Sequence, residues 1–169
     1  KIPHLTIYGI NITDNQVQQA QQKVIENNLS NRIFLQKGDA ISLDFKNNSF
    51  DTIIAIESAF HFNTREKFFK EAFRTLKKNG ILCLTDCLPT TKITNPEFLT
   101  NSKRFGIPIA NQYQIDDYIK KLQKIGFSSI TFEDITENVI PHSAAEITNL
   151  NGWRTEPIVN LPDNKNTVN

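Results

Sequence analysis

Short apolar segments alternate with amphipathic helical patterns along most of this chain, and this alternation constrains the fold more than any other feature. Residues 5–10 form an apolar, β-branched segment, and residues 32–36 form a second one. Between them, apolar residues recur at helical spacing: Val17, Ala20, Val24 and Ile25. A strand, a helix and a strand in this order are typical of α/β folds, in which helices connect parallel strands.

The same order continues in the second half of the chain. Residues 50–56 are apolar without polar alternation, which predicts a strand buried on both faces of a sheet. A helix is predicted from Asn63 to Leu76, with Lys77 and Lys78 at its end and Gly80 as its cap. Strands are predicted at 81–85 and 129–133, and a helix lies between them at 115–125, after a loop over 88–112.

These patterns predict an α/β fold with a doubly wound, mostly parallel sheet of Rossmann-like type and helices on both faces. In such sheets, ligands bind at the carboxyl ends of the strands. Side chains that bind a ligand or take part in a reaction are expected there. The residues that follow the predicted strands are Asn11, Asp39, Ala40, Glu57, Ser58, His61 and Asp86. Residues 5–150 are predicted to form one domain and 151–169 a polar tail, and no strand pair is expected over residues 137–168.

Composition excludes several classes of protein. Nineteen basic residues against 18 acidic ones, a formal charge of +1, give no field that would attract nucleic acid. No apolar segment reaches the about 20 residues that span a bilayer. Cys83 and Cys87 are too few for a disulfide framework, which favours a cytoplasmic location. His4, His61 and His142 lack partners at metal-ligand spacing, so no metal site is expected.

Five short segments at the predicted strand ends carry a recognisable pattern. They read, in chain order, Gly9-Ile10-Asn11-Ile12-Thr13-x-x-Gln16, Gly38-Asp39-Ala40, Asn48-Ser49-Phe50-Asp51-Thr52-Ile53, Glu57-Ser58-Ala59-Phe60-His61-Phe62 and Glu71-Ala72-Phe73-Arg74-Thr75-Leu76-Lys77-x-x-Gly80. Over residues 5–133 the chain resembles the class I S-adenosylmethionine-dependent methyltransferases, and most of all their small-molecule branch, which methylates natural-product hydroxyls.

The resemblance implies contacts to the cofactor S-adenosylmethionine. Asn11 matches a residue that holds the ribose hydroxyls, and Gln16 matches a residue that also reaches the cofactor. The alternative for Gln16 is a helix-capping box with Thr13. Asp39 matches the acceptor of the adenine amino group, and the Ala40 backbone amide matches the donor to a ring nitrogen. The alternative for Asp39 is a cap on the following turn.

The resemblance also implies roles closer to the reaction. Glu57 matches a position near the methionine part of the cofactor, or else a purely structural one. His61 is the candidate base, because methyl transfer to a hydroxyl needs a proton acceptor and imidazole titrates near neutral pH. A hydrogen-bonded structural histidine is the alternative. Asp86 matches an acidic position that orients such a histidine or the acceptor, or it caps a loop.

The expected partner is a small-molecule acceptor, with a hydroxyl favoured and with nitrogen and carbon acceptors left open. Aromatic residues either line its pocket or belong to the core: Phe60, Phe62, Phe98, Phe105 and Tyr113. No nucleic acid or membrane partner is expected, and a homo-oligomer is left open.

One family element is missing from the chain. A Gly-rich loop after the first strand, over which the methionine part of the cofactor lies, is not in the sequence, so the sheet is expected to lack its first strand. We therefore expect a fragment of a longer enzyme that binds cofactor weakly by itself. The alternatives are a non-catalytic or degenerate binding module on the same fold and a nicotinamide-dependent oxidoreductase.

Overall fold

The computed structural model describes residues 5–89, 102 and 105–136, together with the backbone of 153–159. The chain divides into two compact units, Lys1–Asp44 and Phe45–Asn169, and each is described by itself. The domain boundaries expected from the sequence, 5–150 and 151–169, stay a prediction.

The first unit consists of strand β1 (Ile7–Asn11), helix α1 (Asp14–Glu26) and strand β2 (Ile33–Lys37). The two strands are parallel, with Ile7 opposite Ile33 and Asn11 opposite Lys37. Helix α1 buries Val17, and Gln21 Nε2 donates to the Leu35 carbonyl of β2 at 2.9 Å. The predicted order of strand, helix and strand is confirmed here, with boundaries that shift by one or two residues.

The described residues of the second unit form a four-stranded mixed sheet and two longer helices. Its elements are β3 (Phe50–Ile56), α2 (Arg65–Thr75), β4 (Leu76–Pro89), α3 (Ile115–Ile125), β5 (Thr131–Phe132) and β6 (Trp153–Val159). Short 3-10 helices lie at Ala59–His61 and Ile109–Asn111. The sheet order is β3-β4-β6-β5, in which β3 and β4 are parallel and β6 is antiparallel to both of its neighbours.

Helices α2 and α3 cover one face of this sheet. The alternate residues of β4 on that face are buried, and Phe69 of α2 packs edge-on against Tyr118 of α3 with ring centroids 5.0 Å apart. The buried apolar side chains of this core include Ala55, Phe68, Phe69, Ala72, Leu76, Leu82, Leu84, Leu88, Tyr118, Leu122 and Phe127. Burial of apolar surface between sheet and helices is the main stabilising term.

The prediction that β3 is buried on both faces is wrong. Ala55 is buried, but Ile54 and Ile56 are 64% and 69% exposed. Successive strand residues point to opposite faces, and in the described part of this unit the helices cover only the Ala55 face. The continuous apolar sequence of β3 therefore does not indicate that both faces of this strand are buried.

The predicted end of the second helix is also wrong. Helix α2 ends at Thr75, because the amides of Asn48 and Ser49 donate to the carbonyls of Arg74 and Thr75 and so satisfy its last turn. Leu76 already pairs with Phe50 of β3. Lys77, expected at the helix end, forms an ion pair with Asp51 at 2.9 Å instead.

The prediction of no strand after residue 137 is wrong at 153–159. This segment forms β6, which lies between β4 and β5 with Leu84 opposite Ile158 and Phe132 opposite the same residue. Its sequence includes Pro157, which disfavours a central strand. Pairing with β4 and β5, which are both distant in sequence, decides this element, and a local pattern does not contain these partners.

No helix among the described residues has the length and apolar character needed to cross a membrane.

We predict that Gly126→Ala destabilises the second unit. Gly126 has φ +121°, and a Cβ there would lie 2.7 Å from Phe73 Cζ, inside van der Waals contact. Strain and overpacking together should cost about 1–3 kcal/mol of unfolding free energy, measured by urea denaturation. Gly38→Ala is the control, because a Cβ at Gly38 meets only Ile10 at an ordinary 3.5 Å. Equal stability of both variants and the parent chain would contradict the prediction.

Candidate functional site

In the first unit, the carboxyl ends of β1 and β2 lie side by side. The Gly38 amide, directly after β2, donates to the carbonyl of Asn11 at 3.0 Å. This bond places the Asn11 side chain and the Gly38-Asp39-Ala40 turn at the same edge of the strand pair, where ligands of parallel sheets bind.

The structure brings Asn11 and Gln16 into direct contact. Asn11 Nδ2 donates to Gln16 Oε1 at 2.7 Å, and Asn11 Oδ1 accepts from the Thr13 amide at 2.9 Å. Thr13 makes no side-chain cap on α1, so the alternative of a capping box is wrong. Both amide side chains are exposed and each keeps further donor and acceptor capacity for a ligand.

Asp39 caps its own turn with one carboxylate oxygen. Asp39 Oδ1 accepts from the Ile41 amide at 3.1 Å, while the Ser42 amide donates to the Asp39 carbonyl. The turn-capping alternative is therefore realised, and the side chain is nevertheless exposed at the strand edge beside the half-buried Ala40. A carboxylate has two acceptor oxygens, so the turn occupies only part of its capacity.

In the second unit, Glu57 follows β3 with a left-handed backbone, φ +45°. Its amide donates to both the carbonyl and the Oγ1 of Thr85 at 3.0 Å, which fixes the strand end against β4. Its carboxylate accepts from the Cys87 thiol at 3.5 Å. Burial, and next the charge of Glu57, raise the pKa of Cys87, so this thiol stays protonated.

His61 ends the 3-10 helix Ala59–His61 and is exposed. Its Nδ1 lies 3.2 Å from the carbonyl oxygen of Gly106. A carbonyl only accepts, so this contact requires the proton on Nδ1, and the neutral ring then carries its lone pair on Nε2. The arrangement gives His61 the tautomer in which Nε2 can accept a proton.

Asp86 is fully buried and has partners other than His61. Its two carboxylate oxygens accept from Arg65 Nε and Nη2 at 2.8 and 2.9 Å, and the Tyr118 hydroxyl donates to it at 2.8 Å. Direct orientation of His61 or of the acceptor by Asp86 stays a prediction, and the described contacts favour a structural role for this carboxylate.

Arg65 is the buried residue that the sequence patterns missed. An arginine in the first turn of a helix looks like a solvent-exposed residue, yet Arg65 is 0% exposed. Besides Asp86, it donates from Nη2 to the Cys87 carbonyl at 2.6 Å and lies 5.5 Å from the ring centroids of Tyr113 and Tyr118. Burial lowers the Arg65 pKa, but the Asp86 carboxylate more than offsets this and the net pKa is raised.

Asn111 is the second buried polar residue that the patterns missed. Its Oδ1 accepts from the Arg65 amide at 2.9 Å, and Arg65 Nη1 donates to its carbonyl. Asn111 Nδ2 donates to the carbonyls of Phe60 and Phe62 at 3.1 and 2.7 Å. No sequence signal identified it, because a lone asparagine in a loop is indistinguishable from a surface residue.

The aromatic residues considered for an acceptor pocket have different environments. Phe62 packs on Phe68, with centroids 5.0 Å apart, so it contacts the core. Phe60 lies 4.2 Å from the His61 ring, and Phe105 is 51% exposed. Tyr113 lies beside Arg65, and Phe98 lies outside the described residues.

The described residues contain no group of three or more side chains that could hold a metal ion. His4 and His142 lie outside them.

We predict that the buried tyrosine makes the fold alkali-sensitive. Full burial, and next the Asp86 charge, raise the pKa of Tyr118 well above 10. Above about pH 10 the unfolded chain loses this proton and the folded chain keeps it, so stability falls as pH rises, by about 1.4 kcal/mol per pH unit for one such group. Tyr118→Phe should lessen this decline in urea unfolding between pH 8 and 11.

The control is Tyr8→Phe, because Tyr8 is 52% exposed and its removal should leave the alkaline decline as it is. Tyr118→Phe also loses one hydrogen bond to Asp86, which should cost about 1 kcal/mol at neutral pH. An alkaline decline as steep in Tyr118→Phe as in the parent would show that Tyr118 ionises equally in both states.

Comparisons with known proteins show what this chain is similar to. Residues 2–84 match the family described as "Methyltransferase domain". The erythromycin 3''-O-methyltransferase of Saccharopolyspora erythraea is 30% identical over 142 residues, which cover 79% of this chain and 46% of that protein. The chain thus spans less than half the length of this curated relative.

Solved structures agree on the fold. The geranyl diphosphate C-methyltransferase of Streptomyces coelicolor A3(2), solved with Mg²⁺, geranyl diphosphate and S-adenosyl-L-homocysteine, matches with a TM-score of 0.79 at 12% identity, over 94% of this chain and 63% of that one. The cyclase SpnF matches with a TM-score of 0.69 at 20% identity, over 94% and 67%. The strand order, the segments at the strand ends and these matches agree: the chain has an α/β, Rossmann-like fold and is similar to the class I S-adenosylmethionine-dependent methyltransferases.

Proposed function

We propose that this chain is the catalytic part of an enzyme that transfers a methyl group from S-adenosylmethionine to a small-molecule acceptor, with a hydroxyl favoured. The observation that carries the proposal is the Asn11–Gln16 hydrogen bond of 2.7 Å at the end of β1, next to the turn that carries Asp39. It places two amide side chains and one carboxylate at a strand edge of the kind that binds nucleosides.

These residues fit the nucleoside part of the cofactor. A ribose diol presents two hydroxyl groups, each a donor and an acceptor, and the paired amides of Asn11 and Gln16 offer both. Adenine presents an amino donor beside a ring-nitrogen acceptor, which would meet the Asp39 carboxylate and the Ala40 amide. Glu57 is proposed to approach the methionine part through its rigidly held backbone.

S-adenosylmethionine, when bound, supplies an electrophilic methyl group on a sulfonium sulfur. We assign proton transfer to His61. Nε2 of His61 would take the proton of the acceptor hydroxyl as that oxygen is methylated. The Gly106 contact keeps Nδ1 protonated and thereby keeps the Nε2 lone pair available.

The names of the relatives support a small molecule as the acceptor, and nothing finer. One relative is named for erythromycin and one structural neighbour for geranyl diphosphate, and both are small molecules.

A cytoplasmic location is proposed from Cys83 and Cys87, which are both free thiols. The oligomeric state is left open. Since the chain has no Gly-rich loop, we propose that it binds the cofactor more weakly than the full translation product does.

We predict that Gln16→Ala weakens cofactor binding about tenfold, which corresponds to the loss of one or two hydrogen bonds. Calorimetric titration with S-adenosylhomocysteine, on this chain and on the full translation product, measures the effect. The matched control is Gln19→Ala on the same helix, because the Gln19 side chain bonds only to Asn15. Binding by neither protein would reject the enzyme proposal.

We predict that His61→Ala lowers the rate of methyl transfer about 10²- to 10⁴-fold while cofactor affinity stays within twofold, as expected for loss of a general base. The assay is formation of S-adenosylhomocysteine by the full translation product with a panel of hydroxylated acceptors. Cofactor binding without transfer to any acceptor would instead support the non-catalytic binding module.

A further inference from the structure

We propose that Asn111 is a positioning residue that holds His61 in the orientation and tautomer needed to accept a proton. This inference rests on the proposed function for the role of His61, but the positioning itself stands on contacts in the second unit. It also gives Asp86 an indirect part in the site, through Arg65 and Asn111.

The side-chain amide of Asn111 makes two hydrogen bonds to the segment that carries His61. Its Nδ2 donates to the carbonyl of Phe60 at 3.1 Å and to that of Phe62 at 2.7 Å, one residue to either side of the histidine. These two bonds fix the carbonyl groups of the residues immediately before and after His61. Because both neighbours of His61 are held by hydrogen bonds, the backbone of His61 has little freedom, and this restricts the direction of its side chain.

The ring is held from the same loop. Gly106, five residues before Asn111, accepts from His61 Nδ1 at 3.2 Å. Gly106 has φ +67°, a conformation that favours glycine, and a Cβ there would lie 3.6 Å from the ring nitrogen. The segment 106–111 therefore makes three contacts here: one to the His61 ring and one each to the carbonyls of Phe60 and Phe62.

Asn111 is itself held rigidly. It is 0% exposed, its Oδ1 accepts from the Arg65 amide at 2.9 Å, and its own amide donates to the Pro108 carbonyl at 2.9 Å. Arg65 is fixed in turn by its two bonds to the buried Asp86. Both donor hydrogens of the Asn111 side chain and one lone pair of its oxygen are thus used, three bonds in all.

A purely structural asparagine would leave the His61 tautomer unchanged, and a positioning residue would not. In water a free imidazole favours the proton on Nε2, whereas the hydrogen bond from His61 Nδ1 to the Gly106 carbonyl requires the proton on Nδ1. The ¹⁵N chemical shifts of the two ring nitrogens distinguish these forms. The experiment is a ¹⁵N-histidine NMR spectrum of this chain at a pH where the ring is neutral, with His61 assigned through His61→Gln.

We expect the Nδ1–H form of His61 in the parent chain and a majority of the Nε2–H form in Asn111→Asp. This variant keeps the shape of the side chain and an oxygen acceptor for the Arg65 amide, but it lacks the donor group that binds Phe60 and Phe62. Asn111→Ala should behave in the same way. The matched control is Thr75→Val, which removes a fully buried hydroxyl that donates within α2 at 2.7 Å and should leave the tautomer unchanged.

The Nε2–H form in the parent chain would overturn the proposal without any variant, even where both Asn111 variants fail to fold. An unchanged Nδ1–H form in a folded Asn111 variant would overturn it as well. Failure of the proposed function has a different signature: normal methyl transfer by His61→Ala, with the NMR result intact. If both proposals hold, Asn111→Asp lowers kcat with little effect on cofactor affinity, and its effect vanishes in a His61→Ala background.

Discussion

The buried ion pair between Arg65 and Asp86 is the interaction on which the second unit depends. Both side chains are 0% exposed, and the pair joins the first turn of α2 to the end of β4. Hydrogen bonds around the pair help to offset its cost of desolvation: Tyr118 donates to the carboxylate, and the Cys87 and Asn111 carbonyls accept from the guanidinium. Removal of one partner leaves an uncompensated charge in the core, a loss of about 3–5 kcal/mol. The pair therefore fixes how α2, α3 and the loop at Asn111 meet the sheet.

The chemistry follows from this framework and from parallel strand pairing. In the first unit, pairing of Asn11 with Lys37 puts the amide pair of Asn11 and Gln16 beside the turn at Asp39. In the second unit, pairing of Ile56 with Thr85 fixes Glu57 at the end of β3. Each group stands where a strand ends, since parallel strands end at a common edge. The proposed methyl transfer needs orientation of the reactants and a proton acceptor, and rigid strand ends and a histidine with fixed neighbours would suit that reaction.

The errors of the sequence analysis share one physical origin. The end of α2 at Thr75 is set by amides from Asn48 and Ser49, more than 25 residues away, and β6 is set by strands β4 and β5. The exposure of Ile54 depends on which face of β3 the helices cover. Intrinsic propensity and hydrophobic period describe a segment and its near neighbours, whereas these features depend on groups distant in sequence.

The sequence alone determined the α/β alternation, the position of β3, helix α3 over residues 115–125 and the residues at the strand ends, because local periodicity and turn chemistry set these. It also carried the segments on which the resemblance to the methyltransferases rests. Only the tertiary structure decided that Asp86 binds Arg65, that Asn111 grips the backbone on both sides of His61, and that Gln16 bonds to Asn11 rather than capping its helix. The reason is that a polar side chain takes the partner that the packed fold brings within about 3 Å, and burial makes an unpaired polar group costly.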